Sequence, residues 1–235
     1  MKRVLITGAS SDIGLAVCQK YQEAGWLVIG HFRNDRVELE QLRGDQLEDW
    51  QCDFSNLSSL ELDLKSENKN ISSVDAFVNL AAELTPVEFS KATTSEILSA
   101  LSANLLPGLL IMQTIGPAMV ERGFGRIVHG SSIGVKFGGG KQSFAYSLSK
   151  HAQEFIPQEC RKWATKNVYV NIARIGATDT RLHSKIKNKD MAARAKLVPA
   201  GRLATPKEIA ETLYWLGSEN NTFTTGETIS IAGGE

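Results

Sequence analysis

The sequence predicts an α/β fold in which a doubly wound parallel sheet of seven strands is covered by helices on both faces. Short apolar, β-branched segments alternate along the chain with segments of helical periodicity. No long linker or low-complexity stretch interrupts this alternation. With 235 residues, of which 42% are hydrophobic, residues 1–235 are expected to bury the core of one large domain.

The first fourteen residues contain the most informative element. An apolar strand at Val4–Ile6 meets Gly8 almost at once, and a helical pattern begins near Ile13 and Gly14. The N-terminus of such a helix directs unpaired N–H groups and the positive end of its dipole at the turn, which suits a phosphate or pyrophosphate. Gly8 permits the sharp turn, and Gly14 lets the helix approach its strand. A glycine turn before a buried helix is common in α/β proteins, so the motif alone is not specific.

The remaining elements follow in order along the chain. Strand two is expected at 26–32, and a shorter third strand is expected to end at residue 53. The remaining strands are expected at 74–79, 126–129, 168–172 and 227–231. A short helix at best is expected within 34–44, and a longer one from 145 to 165. Capping boxes predict two more helix starts, one from Thr93 to Glu96 and one from Thr205 through Pro206 to Glu208.

Polar side chains come directly after several of these strands, where a parallel sheet binds its ligands. Asp53, Asn79 and the pair Ser131-Ser132 follow strands three, four and five. The next helix carries Tyr146 and Lys150, whose spacing of four places both on one face. A cation there favours the phenolate, so we expect the pKa of Tyr146 to fall from its usual value of about 10. Tyr146 is then a candidate proton donor to a carbonyl oxygen.

Taken together, the motifs resemble the short-chain dehydrogenase/reductase family over essentially the whole chain, as a 3-oxoacyl-reductase-like member. They are Thr7-Gly8-Ala9-Ser10-Ser11-Asp12-Ile13-Gly14, Asp53, Asn79-Leu80-Ala81-Ala82, Asn104, Ser132, Tyr146-x-x-x-Lys150 and Thr225-Gly226. The resemblance implies a single-domain Rossmann fold that transfers a hydride between a nicotinamide cofactor and a carbonyl or alcohol substrate.

The same resemblance implies roles for individual residues. Tyr146 is the general acid/base, Ser132 hydrogen-bonds the substrate oxygen, and Lys150 holds the nicotinamide ribose and lowers the tyrosine pKa. Asn104 anchors a water that relays protons. Asp53 meets the adenine ring, and Thr180 meets the nicotinamide carboxamide. The implied cofactor-binding residues are Gly8, Ser10, Ser11, Asp12, Ile13, Gly14, Arg33, Asp53, Phe54, Asn79, Ala81, Tyr146, Lys150, Gly176, Thr178 and Thr180.

The chain departs from the family pattern at several positions. Asp12 replaces a glycine of the first turn, and it either caps the helix or crowds the pyrophosphate. Ser131 is an alternative to Ser132, because the segment up to Tyr146 is one residue longer than usual and its glycine run, Gly138-Gly139-Gly140, suggests a mobile loop. Other departures are Leu80, Ala82, Ile175 and Ala232. They leave open an alternative function as a non-catalytic dinucleotide-binding regulator.

The end of strand two indicates the cofactor. Arg33 stands there and no acidic residue follows until Asp35, which favours NADP over NAD, although Arg33 is also explained as a solvated loop charge. A segment at about 178–202 is expected to cover the substrate as a lid. Its basic residues either steer an anionic substrate or acyl carrier or form the wet face of helices; they are Arg181, Lys185, Lys187, Lys189, Arg194, Lys196 and Arg202.

Composition restricts the expected partners and location. The 26 basic and 26 acidic residues give no electrostatic reason to expect nucleic acid or an anionic membrane. No signal peptide or membrane-spanning run is expected, and Cys18, Cys52 and Cys160 are read as reduced core thiols of a cytoplasmic protein. The four histidines have no metal-like spacing. The family resemblance further suggests a homodimer or homotetramer built on helices 96–120 and 145–165.

Overall fold

The computed structural model describes residues 1–34, 37–42, 44–66, 71–182 and 190–235. Within them seven strands form one sheet in which every paired neighbour is parallel. The strands are β1 (Arg3–Thr7), β2 (Leu27–Phe32), β3 (Leu47–Gln51), β4 (Ala76–Asn79), β5 (Gly125–Ser132), β6 (Val168–Ile175) and β7 (Thr228–Ile231).

The sheet has the order β3-β2-β1-β4-β5-β6-β7, so the direction of strand addition reverses between β1 and β4. Ile6 of β1 lies opposite Gly30 of β2 on one side and Val78 of β4 on the other. This reversal opens a crevice at the carboxyl ends of the two central strands, where ligands bind in such sheets. The predicted fold class, a doubly wound parallel sheet of the Rossmann type, is confirmed.

Helices cover both faces of the sheet. They are α1 (Asp12–Glu23), α2 (Val37–Leu42), α3 (Leu57–Lys65), α4 (Thr94–Asn104), α5 (Leu106–Arg122), α6 (Phe144–Ala152), α7 (Gln158–Lys162), α8 (Met191–Leu197) and α9 (Pro206–Leu216). Both predicted capping boxes are present, with Thr93 and Thr205 each accepting from the backbone three residues ahead. These caps satisfy N–H groups that a helix otherwise leaves without partners.

Two apolar layers hold the helices on the sheet. On one face Tyr21 of α1 and Leu213 of α9 pack over the central strands, and the Tyr21 hydroxyl donates to the Gly217 carbonyl at 2.9 Å. On the other face Ile111 and Ile115 of α5 belong to the second apolar core. The three cysteines are buried free thiols, as expected from the sequence.

Several element boundaries differ from those predicted. The helix expected over 145–165 is interrupted after Ala152, because Pro157 has no N–H to continue it and instead precedes α7. The helix expected over 96–120 is divided at Leu105, and Pro107 lies in the first turn of α5. Strands β5 and β6 run three residues further than expected, whereas β3 ends at Gln51.

One stretch is more apolar than the sequence analysis allowed. Thr94–Arg122 is long and apolar enough, by length and composition, to cross a membrane, so the expectation that no run approaches that length is wrong. In the structure the stretch is two helices, and α5 buries Ile111, Ile115 and Met119 in the core. A core helix of a soluble protein passes the same test.

Candidate active site

A cavity of about 500 Å³ lies at the carboxyl ends of the central strands. Arg33 and Asp53 line one end, and Tyr146 and Lys150 line the other. The turn after β1 also lines the cavity, with Gly8 and residues 10–13. The polar residues that follow successive strands therefore meet in one place, as the parallel sheet predicts.

The turn between β1 and α1 is built around two glycines. Gly8 has a φ of +69°, which favours glycine, and the N-cap Ser11 accepts from Gly14 N at 3.0 Å. A Cβ at Gly14 would lie 2.2 Å from the Gly8 carbonyl oxygen, so only glycine permits this approach. The open N-terminus of α1 consequently faces the cavity, where its dipole and N–H groups suit a pyrophosphate.

A buried threonine connects the turn to the neighbouring strand. The Thr7 hydroxyl donates to Asn79 Oδ1 at 2.7 Å and accepts from the backbone N–H groups of Leu80 and Ala81 at 3.1 and 3.2 Å. The other end of the Asn79 amide contacts His129 Nδ1 at 3.1 Å. Asn79 thus holds together the two strand ends that bound the crevice.

At the opposite end, the Tyr146 hydroxyl and Ser132 lie within hydrogen-bonding reach of each other. Ser132 Oγ also accepts from Gly134 N at 3.2 Å. The Ser131 hydroxyl is buried and donates to Glu154 Oε1 at 2.7 Å. This bond favours Ser132 over Ser131 as the candidate serine beside Tyr146, and the role of either serine remains a prediction.

The glycine-rich segment before Tyr146 is ordered by its own hydrogen bonds. Gly138 and Gly139 have φ values of +72° and +84°, and Gly139 N donates to the Gly134 carbonyl at 2.8 Å. Gly140 N donates to Ser143 Oγ at 2.8 Å. The extra residue is therefore accommodated in a loop with internal hydrogen bonds, and the mobility expected from the sequence remains a prediction.

Lys150 is buried beneath Tyr146, with its ammonium 6.0 Å from the centroid of the phenol ring. It donates to the Gly130 carbonyl and to Gln153 Oε1, both at 2.8 Å. Burial lowers the pKa of Lys150 to about 7 and raises the pKa of Tyr146 to about 12, while the hydrogen bond with Ser132 acts in the opposite direction on the phenol. The expected fall in the Tyr146 pKa is therefore wrong for this structure, because desolvation dominates.

Asn104 lies behind this pair rather than on the cavity wall. Its side chain accepts from Glu83 N at 2.6 Å, and it donates to the Glu83 carbonyl at 3.0 Å and to Ser149 Oγ at 2.8 Å. It thereby ties the loop after β4 to α6, directly beside Lys150. The predicted water relay through Asn104 remains a prediction.

The Arg33 end of the cavity is flat and aromatic. His31 stacks on Phe54 with ring centroids 3.7 Å apart, and its Nδ1 accepts from Gly8 N at 3.3 Å. Burial lowers the pKa of His31 to about 4, so the ring is neutral. Asp53 accepts from Ser55 N at 3.0 Å, and this bond holds the pKa of the carboxyl below its usual value.

These features fit a dinucleotide. An elongated cavity offers an apolar, acid-bearing end for a base, an open helix N-terminus for phosphates, and hydroxyl groups at the far end for a reacting carbonyl. A side chain on Gly8 would enter the space beside Ala81 N, at 3.0 Å, and close part of the cradle.

A family model described as enoyl-(acyl carrier protein) reductase matches residues 8–235. The chain belongs to the short-chain dehydrogenase/reductase family. It is an NAD(P)-dependent oxidoreductase of that family, as the motifs predicted.

Several members of the family are similar to this protein over nearly its whole length. The 3-oxoacyl-[acyl-carrier-protein] reductase FabG of Vibrio harveyi is 28% identical over 99% of this chain and 96% of its own. The acetoacetyl-CoA reductase of Rhizobium meliloti is 30% identical over 100% and 99%. The crystal structure of a 3-oxoacyl (acyl-carrier-protein) reductase from Agrobacterium tumefaciens C58 with NADP bound has a TM-score of 0.88 at 26% identity, over 100% of this chain and 94% of that chain.

Most residues that the family resemblance implied for the cofactor lie on the cavity wall. They are Gly8, Ser10, Ser11, Asp12, Ile13, Arg33, Asp53, Phe54, Ala81, Tyr146, Lys150, Gly176, Thr178 and Thr180. Gly14 and Asn79 lie behind the wall and support the turn. Sequence reasoning missed His31 and Glu83, which also line it. The position of Glu83 directly after the motif at 79–82 could have indicated that it lies at the cavity.

Asp12, the unusual residue of the turn, binds the base of the lid. Its carboxylate accepts from Arg181 N and Nε, each at 2.8 Å, and also pairs with Arg181 Nη2. The capping interpretation is wrong, because Ser11 provides the cap. Arg181 thus pairs with the Asp12 carboxylate at the rim of the cavity.

Three of the four basic residues in the described part of the lid form ion pairs. The described parts of the lid are residues 178–182 and 190–202; Asp35, His183, Lys185, Lys187 and Lys189 lie outside the described residues. Three lid arginines form ion pairs with acids elsewhere: Arg181 with Asp12, Arg194 with Glu235, and Arg202 with Glu208. This pairing argues against steering of an anionic substrate by these three residues. Arg181 and Arg202 are largely exposed, as the solvated-face interpretation expects, whereas Arg194 is mostly buried in its pair with Glu235.

Lys150 makes the stability of the ligand-free protein depend on pH. Its pKa of about 7 lies below the value of about 10.4 expected when unfolded, so between these values the unfolded chain binds more protons. The free energy of unfolding should therefore gain from this residue as pH rises from about 7 to 10. Urea unfolding at several pH values should show a steeper rise for the parent than for Lys150→Met. Equal slopes would contradict burial of a titrating ammonium.

Arg181→Gln should weaken binding of NADPH and NADH by the same factor, about three- to tenfold, because it removes the guanidinium that offsets the charge of the Asp12 carboxylate on the wall of the proposed dinucleotide cavity. Asp12→Asn in the Arg181→Gln background should restore most of the affinity. Dissociation constants from titration calorimetry measure both effects. If the double variant binds as weakly as Arg181→Gln alone, neutralisation of Asp12 is not what Arg181 contributes.

Proposed function

We propose that this enzyme uses NADPH to reduce the ketone of a 3-oxoacyl thioester, with acyl carrier protein or coenzyme A as the carrier. The observation that carries the proposal is the pair of hydroxyls of Tyr146 and Ser132 at the end of a dinucleotide-shaped cavity. The similarity to a 3-oxoacyl-[acyl-carrier-protein] reductase and to an acetoacetyl-CoA reductase, at 28% and 30% identity, supports this substrate class.

A bound nicotinamide supplies the hydride in this reaction. Tyr146 remains a neutral phenol at physiological pH because burial raises its pKa to about 12, so it can donate a proton to the developing alkoxide. Ser132 hydrogen-bonds the same substrate oxygen and orients the phenol. The nearby Lys150 ammonium stabilises the tyrosinate left after proton transfer.

The preference for NADP over NAD rests on Arg33. Its guanidinium follows β2 and lines the cavity at the end that suits an adenosine, where a 2′-phosphate requires a cation. Asp53 accepts hydrogen bonds at the same end, and it is the proposed partner of the adenine amino group. NADP is also bound in the Agrobacterium reductase structure, which supports this choice.

Tyr146→Phe should lower kcat for 3-oxoacyl thioesters by at least about 100-fold, because the variant lacks the proton donor, while NADPH affinity stays within about twofold. Nicotinamide absorbance follows turnover with a panel of 3-oxoacyl thioesters and simple ketones. Tyr169→Phe is the matched control, since its hydroxyl bonds the Thr222 carbonyl at the surface, away from the cavity.

Two results would contradict the proposal. Full activity of Tyr146→Phe would remove the assigned mechanism. A parent protein that binds NADPH tightly yet reduces none of the substrates would favour the alternative function, a non-catalytic dinucleotide-binding regulator.

We also propose that the protein forms a homodimer or homotetramer in the cytoplasm, through α4, α5 and the helices between 144 and 162. Large apolar side chains are exposed on this side, with Leu98 on α4 57% exposed and Phe155 after α6 73% exposed. A second copy of the same face would cover them. The buried free thiols suit a reducing compartment.

Leu98→Arg should shift the protein toward the monomer, because a charge replaces an apolar contact at the centre of the proposed interface. Leu62→Arg is the control, since Leu62 is also highly exposed but lies on α3. Sedimentation velocity distinguishes the species. A monomeric parent would contradict the proposal.

A further inference from the structure

An ion pair spans the cavity at its proposed adenosine end. Arg33 follows β2 and Glu83 follows β4, and Arg33 Nη1 lies 3.3 Å from Glu83 Oε2. The two side chains are 46% and 36% exposed, and both line the cavity. The guanidinium assigned to the 2′-phosphate is thus already in contact with a carboxylate of the same chain.

The backbone of Glu83 is held in place from behind. Asn104 accepts from Glu83 N at 2.6 Å and donates to the Glu83 carbonyl at 3.0 Å. Asn104 is itself buried and donates to Ser149 Oγ at 2.8 Å. The loop therefore presents the Glu83 side chain from a fixed point, opposite Arg33.

We propose that Glu83 is a specificity-determining residue, whose carboxylate competes with the cofactor 2′-phosphate for Arg33 and so limits the preference for NADP(H) over NAD(H). The inference rests on the proposed function, in which Arg33 binds that phosphate.

The physical basis is the difference between the two cofactors at this single position. NADP(H) brings an anion that must share Arg33 with Glu83 or displace it, beside a second carboxylate, Asp53. NAD(H) brings only ribose hydroxyls, to which a carboxylate is a favourable hydrogen-bond acceptor. The negative charge of Glu83 therefore opposes one cofactor and not the other. Among the described residues at this end, His31 and the Cys52 thiol also titrate; burial lowers the pKa of His31 and raises that of Cys52, so both are neutral and do not alter this balance.

The isosteric variant Glu83→Gln tests the charge alone. An exposed ion pair contributes little to stability, so the variant is expected to fold. It should bind NADPH about three- to tenfold more tightly, and NADH within about twofold of the parent or more weakly. Titration calorimetry gives both dissociation constants without turnover, and 2′,5′-ADP against 5′-AMP repeats the comparison with the adenosine end alone.

Two further variants make the measurement specific. Arg33→Gln should weaken NADPH binding by at least about tenfold, and in that background Glu83→Gln should change NADPH affinity less than twofold. Glu211→Gln is the matched control, because Glu211 also pairs with a basic residue, Lys20 at 2.7 Å, but lies outside the cavity wall. It should leave both affinities unchanged.

The inference is overturned if Glu83→Gln leaves NADPH affinity within twofold of the parent, weakens it, or strengthens both cofactors equally. It is also overturned if the gain persists in full without Arg33. If Arg33→Gln nevertheless loses NADPH affinity, only the inference about Glu83 fails, and the proposed role of Arg33 in binding NADPH is retained. If Arg33→Gln does not alter NADPH affinity, or if the parent does not bind NADPH, the proposed cofactor choice fails and Glu83 fails with it.

Discussion

The buried hydrogen bond from Thr7 to Asn79 is the contact on which the site depends. It joins the ends of β1 and β4, the two strands between which the sheet order reverses. Because the Thr7 oxygen also accepts from Leu80 and Ala81, one side chain sets the width of the crevice and the course of both loops that leave it. The glycine turn, the Glu83 loop and the pyrophosphate position all follow from this junction.

Desolvation determines the electrostatics of the reacting end. Tyr146 and Lys150 are placed in a weakly hydrated environment, which favours the neutral form of each. In the proposed mechanism the neutral phenol donates the proton, and Lys150, held by the Gly130 carbonyl and Gln153, lies with its Nζ 6.0 Å from the centre of the phenol ring. The same burial that opposes ionisation in the resting protein thus increases the effect of a nearby cation when charge develops.

The sequence predicted the sheet, the glycine turn and a set of site residues most of which line the cavity, because these depend on local periodicity and on residues directly after strands. The sequence-based predictions failed where a residue pairs with another one far away in the chain. They also failed where burial and a nearby charge shift a pKa in opposite directions. The partner of Asp12 is Arg181, 169 positions away, and no spacing rule connects them. Predicting the direction of the pKa shift of Tyr146 requires weighing burial against nearby charge. The spacing of Tyr146 and Lys150 on a helix gives no information about burial. The break before Pro157 was readable, since proline cannot continue a helix.

Two carboxylates on the cavity wall, Asp12 and Glu83, each pair with an arginine from another segment of the chain. Asp12 stands at the phosphate position and is paired with the lid, while Glu83 stands at the ribose and is paired with the end of β2. Both pairs cross the crevice between separate segments of the chain. The consequences that we propose for them differ. Arg181 offsets a charge that would oppose either cofactor, whereas Glu83 competes for the cation that would distinguish NADP(H) from NAD(H). On these proposals, affinity for the dinucleotide and selection between its two forms depend on different ion pairs.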